Sequence, residues 1–157
     1  MGYTTDFAGS FKIEPTMEPE DIEYLKNFSG TRRMKRKMGP EYGVEGEFFV
    51  EGKGTYGTNL DDTVVNQNQA PATQPGLWCQ WIPTEDGQSI EWDGGEKFYN
   101  YVEWIEYLID RILGPRGYVL NGEVEWQGED GADYGKIVIR DNQVKVLSGK
   151  IIYEEEL

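Results

Sequence analysis

The segment DGGEKFYNYVEWIEYLIDRILGP (93–115) constrains this chain more than any other. Phe98, Tyr101, Val102, Ile105, Leu108, Ile109 and Ile112 follow one another at steps of three and four. That spacing puts them on one helix face, which has to be buried against another layer. Asp93 and Glu96 have capping-box-like spacing, and Gly114-Pro115 stops the run. The pattern predicts a long amphipathic helix over about 94–113.

The partner layer has to come from strands. YTTDFAGSFKIEP (3–15) alternates around Phe7, Phe11 and Ile13. GEFFVEGKG (46–54), YVLNGEVEWQG (118–128), GKIVIR (135–140) and QVKVLSG (143–149) read as further strands, with Asp141-Asn142 as a tight turn between the last two. LWCQWIP (77–83) and SIEWDG (89–94) flank TEDGQ as a hairpin. A shorter N-terminal helix is expected over about 18–35, opened by Pro19 at its first position, with Met17 and Ile22 as a hydrophobic staple. Residues 55–76 are rich in Asn, Gln, Thr, Gly and Pro without clear periodicity, and read as a long polar loop. The expectation is one α+β domain over 1–157: a mostly antiparallel, twisted sheet with the long helix on one face.

Composition narrows the chemistry. The chain has no histidine, which removes His-containing triads and His-based zinc sites. The one cysteine, Cys79, cannot form an internal disulfide and fits a reducing compartment. No apolar run is long enough to span a membrane, and the first residues do not read as a signal peptide. No cofactor and no metal site are expected.

Three stretches resemble a family of small uncharacterised proteins of bacteriophages and prophages: FKIEPTMEPEDIEYLKNFSGTRRMKR, PGLWCQWIPTEDGQSIEWDGGEKFYNYVEWIEYLI and YVLNGEVEWQGED. The resemblance carries no activity and no site residues. It implies a phage-encoded accessory protein acting in the cytoplasm of a bacterial host.

Net charge is −14, yet five of fifteen basic residues fall within 32–37: Arg32, Arg33, Lys35, Arg36 and Lys37. Helix-end electrostatics needs one or two cations, not five. Two uses remain. The run docks on the chain's own carboxylates, or it grips an anionic ligand, for which planar guanidinium groups suit phosphate. In the second case Arg32, Arg33, Lys35 and Arg36 form the anion site, and Trp81, Trp92 and Trp126 offer stacking faces for a nucleobase. The plainer use of those tryptophans is core and cross-strand packing. Asn66, Asn68, Tyr56 and Asn59 in the long loop would form a lid. Direct binding of a long nucleic acid is not expected, because the rest of the chain would repel a polyanion.

The functional expectation is therefore a non-enzymatic counter-defence protein that sequesters a small anionic, nucleotide-like ligand. The alternative is an acidic DNA mimic, or another protein-binding inhibitor of a host enzyme. A third class is a Mg²⁺-dependent hydrolase using Glu123, Glu125 and Asp130, although a solvated strand face explains those carboxylates more simply. Homo-oligomerisation is left open by the sequence.

Overall fold

The computed structural model describes residues 2–51 and 60–156. Its centre is a six-stranded antiparallel sheet. The strands, in chain order, are β1 (Asp6–Glu14), β4 (Trp81–Pro83), β5 (Ser89–Trp92), β6 (Val119–Gln127), β7 (Tyr134–Arg140) and β8 (Gln143–Ser148). Their spatial order is β4-β5-β1-β6-β7-β8, so the first strand is central, between the later hairpins. β2 (Lys35–Arg36) and β3 (Val64–Asn66) form a separate two-stranded ribbon. The α+β class read from the sequence is the one observed.

Alternation fixes which sheet face is buried. Phe11 and Ile13 of β1, Leu120 and Val124 of β6, and Ile137 and Ile139 of β7 are all buried. Lys12, Glu123 and Glu125, which alternate with them, face outward and are exposed. The Asp141-Asn142 turn has positive φ at both residues, 47° and 66°, as a two-residue hairpin requires.

Two helices cover the apolar face. α1 spans Pro19–Ser29 and buries Leu25 and Phe28. α2 spans Tyr101–Leu108 and continues without a break through a π-helical turn (Ile109–Leu113) and a 3-10 turn (Gly114–Arg116). Trp104, Ile105, Leu108, Ile112 and Leu113 are buried along it.

Four boundaries differ from the sequence reading, each for a local reason. α1 stops at Ser29 instead of reaching 35, because Gly30 closes it and residues 32–37 leave in extended form to pair with the loop. α2 begins at Tyr101 instead of 94. The Asp93 carboxylate accepts from the backbone N–H of Gly95 at 2.7 Å within a turn, and Lys97 and Asn100 take positive φ, 58° and 57°. No strand forms over 46–51, because Gly43, Glu45 and Gly46 all have positive φ and wind the chain into 3-10 turns. The rest of that strand, and Tyr56 and Asn59 of the lid, lie outside the described residues. The long loop is partly regular, since its Val64–Asn66 stretch pairs with the basic run.

Candidate functional site

The basic run is turned inward. Arg33 is 2% exposed. Its Nη1 donates to the carbonyl of Phe28 at 3.2 Å, and its Nη2 to those of Glu47 and Phe49 at 2.9 and 2.5 Å. The guanidinium also lies 4.1 Å above the Phe28 ring. Burial pulls the Arg33 pKa down to about 10, so it remains a cation at neutral pH. Arg36 is equally buried, stacked 4.2 Å from the Phe49 ring. Its Nη1 donates to Thr63 Oγ1 at 2.7 Å and pairs with Asp61 at 3.2 Å, while Nη2 is 3.8 Å from Glu51. Lys35 pairs with Glu45 at 2.9 Å. Arg32 donates through Nε to the carbonyl of Gln67 at 3.0 Å, and its Nη2 is 3.4 Å from Asn68 Oδ1.

The backbone of the run acts in the same direction. Arg33, Lys35 and Lys37 donate their N–H groups to the carbonyls of Leu77, Gln69 and Thr63 at 2.7–2.8 Å. The run thus holds two sides: these carbonyls with Asp61, Gln67 and Asn68 lie in the loop, while the Arg33 guanidinium holds the carbonyls of Phe28, Glu47 and Phe49 and Lys35 pairs with Glu45 on the domain. The cluster of positive charge is therefore a clamp that fastens the polar loop to the domain. It does not form the outward anion site expected from sequence: its two most central guanidiniums are spent on carbonyls, a hydroxyl, carboxylates and ring faces of the same chain.

The three expected stacking tryptophans gather around the Phe7 ring instead of an open anion site: Trp81 and Trp92 face each other across β4 and β5 and both pack edge-on to Phe7, and Trp126 is the partner of Phe7 across β6. Trp81 is fully buried, with Nε1 donating to the carbonyl of Tyr101 at 2.9 Å. Trp126 is 7% exposed and donates to Asp133 Oδ1 at 2.9 Å. Trp92 is half-buried, edge-on to Phe7 with centroids 5.3 Å apart, and donates to Gln80 Oε1 at 3.1 Å. Their rings are mostly spent on the core. Cys79 is buried and burial pushes its thiol up to about 12, which removes it as a nucleophile at neutral pH. Glu123 and Glu125 are exposed on the open sheet face, where Lys136 lies 3.4 Å from Glu123. Asp130 caps its own turn by accepting from the N–H of Ala132 at 2.8 Å. Among the described residues no group of three or more acidic or thiol side chains is placed to hold a metal ion.

What the clamp builds is a cleft. The fastened segment 68–80 and the turn 96–100 enclose a cavity of about 720 Å³, within the range that holds a small molecule. Trp78 and Tyr99 supply aromatic surface, and Pro71, Pro75 and Leu77 line it further. Tyr99 is 51% exposed. Side-chain amides come from Asn68, Gln69, Gln74, Gln80 and Asn100, and Lys97 and Glu96 stand at the rim. Both positive-φ residues of the 96–100 turn, Lys97 and Asn100, belong to this cleft. Non-glycine residues in that conformation are held at a cost, and they gather at ligand clamps. Asn100 precedes α2 but does not cap it with its side chain. It donates through Nδ2 to the carbonyl of Pro75 at 2.7 Å and so ties the two walls together.

Beneath the cleft runs a buried polar network that sequence reasoning missed. Glu47 is 0% exposed. Its carboxylate accepts from Tyr107 Oη at 2.5 Å, from Arg111 at 3.0 Å and from the N–H of Val44 at 3.1 Å. Gln74 Nε2 donates to the Glu47 carbonyl at 2.7 Å and to Tyr107 Oη at 3.0 Å. Burial raises the Tyr107 pKa well above the usual tyrosine value, and the Glu47 carboxylate adds to that. Nothing in the sequence marks Glu47, because a single Glu beside Phe48-Phe49 reads as an outward residue of a strand. The available signal was the density of amides over 66–80, which is high for a loop that only has to be solvated.

No family model, no curated protein and no solved structure matches this chain. The cleft therefore has to be read from its own chemistry.

Proposed function

We propose that this protein is a non-enzymatic binder that captures a small, nucleotide-like ligand in the cleft between 68–80 and 96–100. One observation carries the reading. A cavity of about 720 Å³ combines aromatic surface (Trp78, Tyr99) with five side-chain amides, and among the described residues no group of three or more acidic or thiol side chains is placed to hold a metal ion. Aromatic faces take a planar ring by stacking, and amides read its polar edge. Lys97 gives one cation to a phosphate or carboxylate. Glu96 beside it and the net charge of −14 disfavour a multiply charged tail. The preferred ligand is a nucleoside or a singly charged nucleotide, monophosphate or cyclic, ahead of a triphosphate.

Capture would be stoichiometric, with no bond made or broken. In the phage setting implied by the sequence resemblance, it would withdraw a signalling nucleotide from a host defence in the bacterial cytoplasm. The open face of the sheet does not favour the DNA-mimic alternative. Its carboxylates are interleaved with Lys12, Lys136 and Lys145, and Lys12 pairs with Glu14 at 3.2 Å.

Calorimetric titration with nucleosides, monophosphates, cyclic nucleotides and triphosphates tests the proposal. A one-to-one isotherm for at least one uncharged or singly charged member is expected. The absence of binding by every member at tens of micromolar protein would remove it.

A further inference from the structure

We infer that the β8 edge of the sheet is a self-association surface: β8 and the segment after it pair antiparallel with the same stretch of a second copy, about a two-fold axis at Gly149. The two six-stranded sheets then run on as one. This inference does not depend on the ligand-binding reading, because the cleft adjoins β4 at the opposite edge of the sheet.

The two edges differ. β4 has three residues and ends at Pro83, which has no N–H to offer. β8 has six residues in unbroken register with β7 and contains no proline. The N–H of Gly149 donates to the carbonyl of Tyr134 at 2.7 Å. By alternation, the N–H and C=O groups of Val144, Val146 and Ser148 point away from β7, and no strand lies beyond β8 among the described residues. Its one charged side chain, Lys145, stands on the same sheet face as Leu147 and leaves that backbone edge clear.

The side chains at this edge are apolar and uncovered. Val146, Leu147, Ile151, Ile152 and Tyr153 are all exposed, the last by 89%. Apolar groups gathered in this way mark an interaction surface. Ile151-Ile152-Tyr153 is a strand-forming sequence, yet β8 ends at Ser148. The reason is local. β7 begins at Tyr134, opposite Gly149, so the residues beyond have no strand of their own chain to pair with. A second copy running antiparallel supplies one.

The stretch is also complementary to itself. Its basic residues come first (Lys145, Lys150) and its acidic residues last (Glu154, Glu155, Glu156). Antiparallel pairing sets the acidic end of each copy beside the basic strand of the other, twice in a two-fold dimer. With Gly149 on the axis, Val146 faces Ile152 of the second copy, Leu147 faces Ile151, Lys145 faces Tyr153 and Gln143 faces Glu155. The four exposed aliphatic side chains thus meet one another. Lys145 meets an aromatic ring and has Glu155 diagonally beyond it, and no like charges stand opposite. A second copy provides all of these matches at once, which singles it out as the occupant.

The experiment uses the full chain. Light scattering coupled to gel filtration, up to about 100 μM chain, should show a species of twice 18.0 kDa that dissociates on dilution. Ile151→Glu and Ile152→Glu change exposed side chains beyond the last strand, so the fold is kept. Each should raise the dissociation constant at least tenfold with the circular dichroism spectrum unchanged. The double variant Leu147→Cys/Ile151→Cys, treated with diamide, should give a covalent dimer on a non-reducing gel, because facing residues of an antiparallel pair lie within disulfide reach. Leu147→Cys alone should not, and Cys79 is buried and does not compete. A monomer throughout the concentration range overturns the inference. So does a dimer indifferent to both glutamate substitutions, since it would use another surface. A crosslink from Leu147→Cys alone as strong as that from the pair overturns the register about Gly149.

Discussion

The segment 32–37 and the cleft over 68–80 and 96–100 are adjacent and opposite in kind. The first has the highest density of positive charge in the chain, and its donors are largely consumed: Arg33 by three carbonyls, Arg36 by Thr63 and Asp61, Lys35 by Glu45. The second has one lysine, yet it presents the half-exposed ring of Tyr99 and a lining of five side-chain amides. Charge counted along a sequence is therefore a poor guide to charge available to a ligand. Burying a guanidinium is costly unless its donors are met, and this chain meets them with its own loop. The run serves the cleft by holding one of its walls.

The sharpest way to break this comparison is Arg33→Ala. It removes the guanidinium donor from the carbonyls of Phe28, Glu47 and Phe49, of which Phe28 keeps the N–H of Thr31 and Glu47 keeps Gln74, and opens a void against the Phe28 ring. A loss of about 3 kcal/mol is expected, from buried hydrogen bonds to a charged group. Urea denaturation followed by tryptophan fluorescence measures it. An unchanged midpoint would mean that the guanidinium is not the structural clamp described.

The cleft should behave in the reverse sense. Tyr99→Ala removes a half-exposed ring whose hydroxyl accepts from the N–H of Tyr3 at 3.1 Å. Stability should hardly change, while affinity for the bound nucleotide falls by the worth of one stacking contact, about 1–3 kcal/mol. Calorimetry beside thermal melting separates the two effects. A large loss of melting temperature with intact affinity would invert the comparison.

Acid should loosen the clamp before it unfolds the sheet. Hydrogen bonds from Thr63, then the Arg36 charge, hold the Asp61 carboxyl below its usual range. The N–H of Ala72, then Lys35, does the same for Glu45. A carboxylate with a lowered folded pKa stabilises the fold fully above its unfolded value, near 4, and that contribution disappears as pH falls through the folded value. Amide hydrogen exchange over 60–72 should therefore speed up relative to β6 and β7 as pH drops below about 4, after correction for intrinsic rates. Equal protection of loop and sheet down to the global acid transition would count against the ion pairs as fasteners.

The smallest effect is expected at Lys37, the exposed member of the run. Lys37→Ala should alter stability by no more than about 0.5 kcal/mol and leave ligand affinity unchanged. A marked loss of affinity would return the run to the binding site and undo the contrast.

Much of the architecture was legible because it depends on periodicity. Alternation in 3–15, 118–128 and 135–149 marked the strands, and steps of three and four from Phe98 to Ile112 marked the helix. Local geometry hid the start of α2, since positive φ at Lys97 and Asn100 overrides the capping pattern at Asp93 and Glu96. The candidate site was less legible. The amide-rich loop and the run were both visible as unusual, but their relation was not. Arg33 reaches a backbone carbonyl sixteen positions away and Lys35 pairs across to Gln69, and such partners carry no sequence signature.

The sequence by itself determined the secondary-structure alphabet, the buried face of each strand and the kinds of chemistry absent from the chain. Short-range sterics and side-chain type are enough for those. Only the tertiary structure decided which cations are spent and which polar atoms are left over. Both depend on where the chain returns in space: a guanidinium or an amide is satisfied by whatever group arrives within about 3 Å of it.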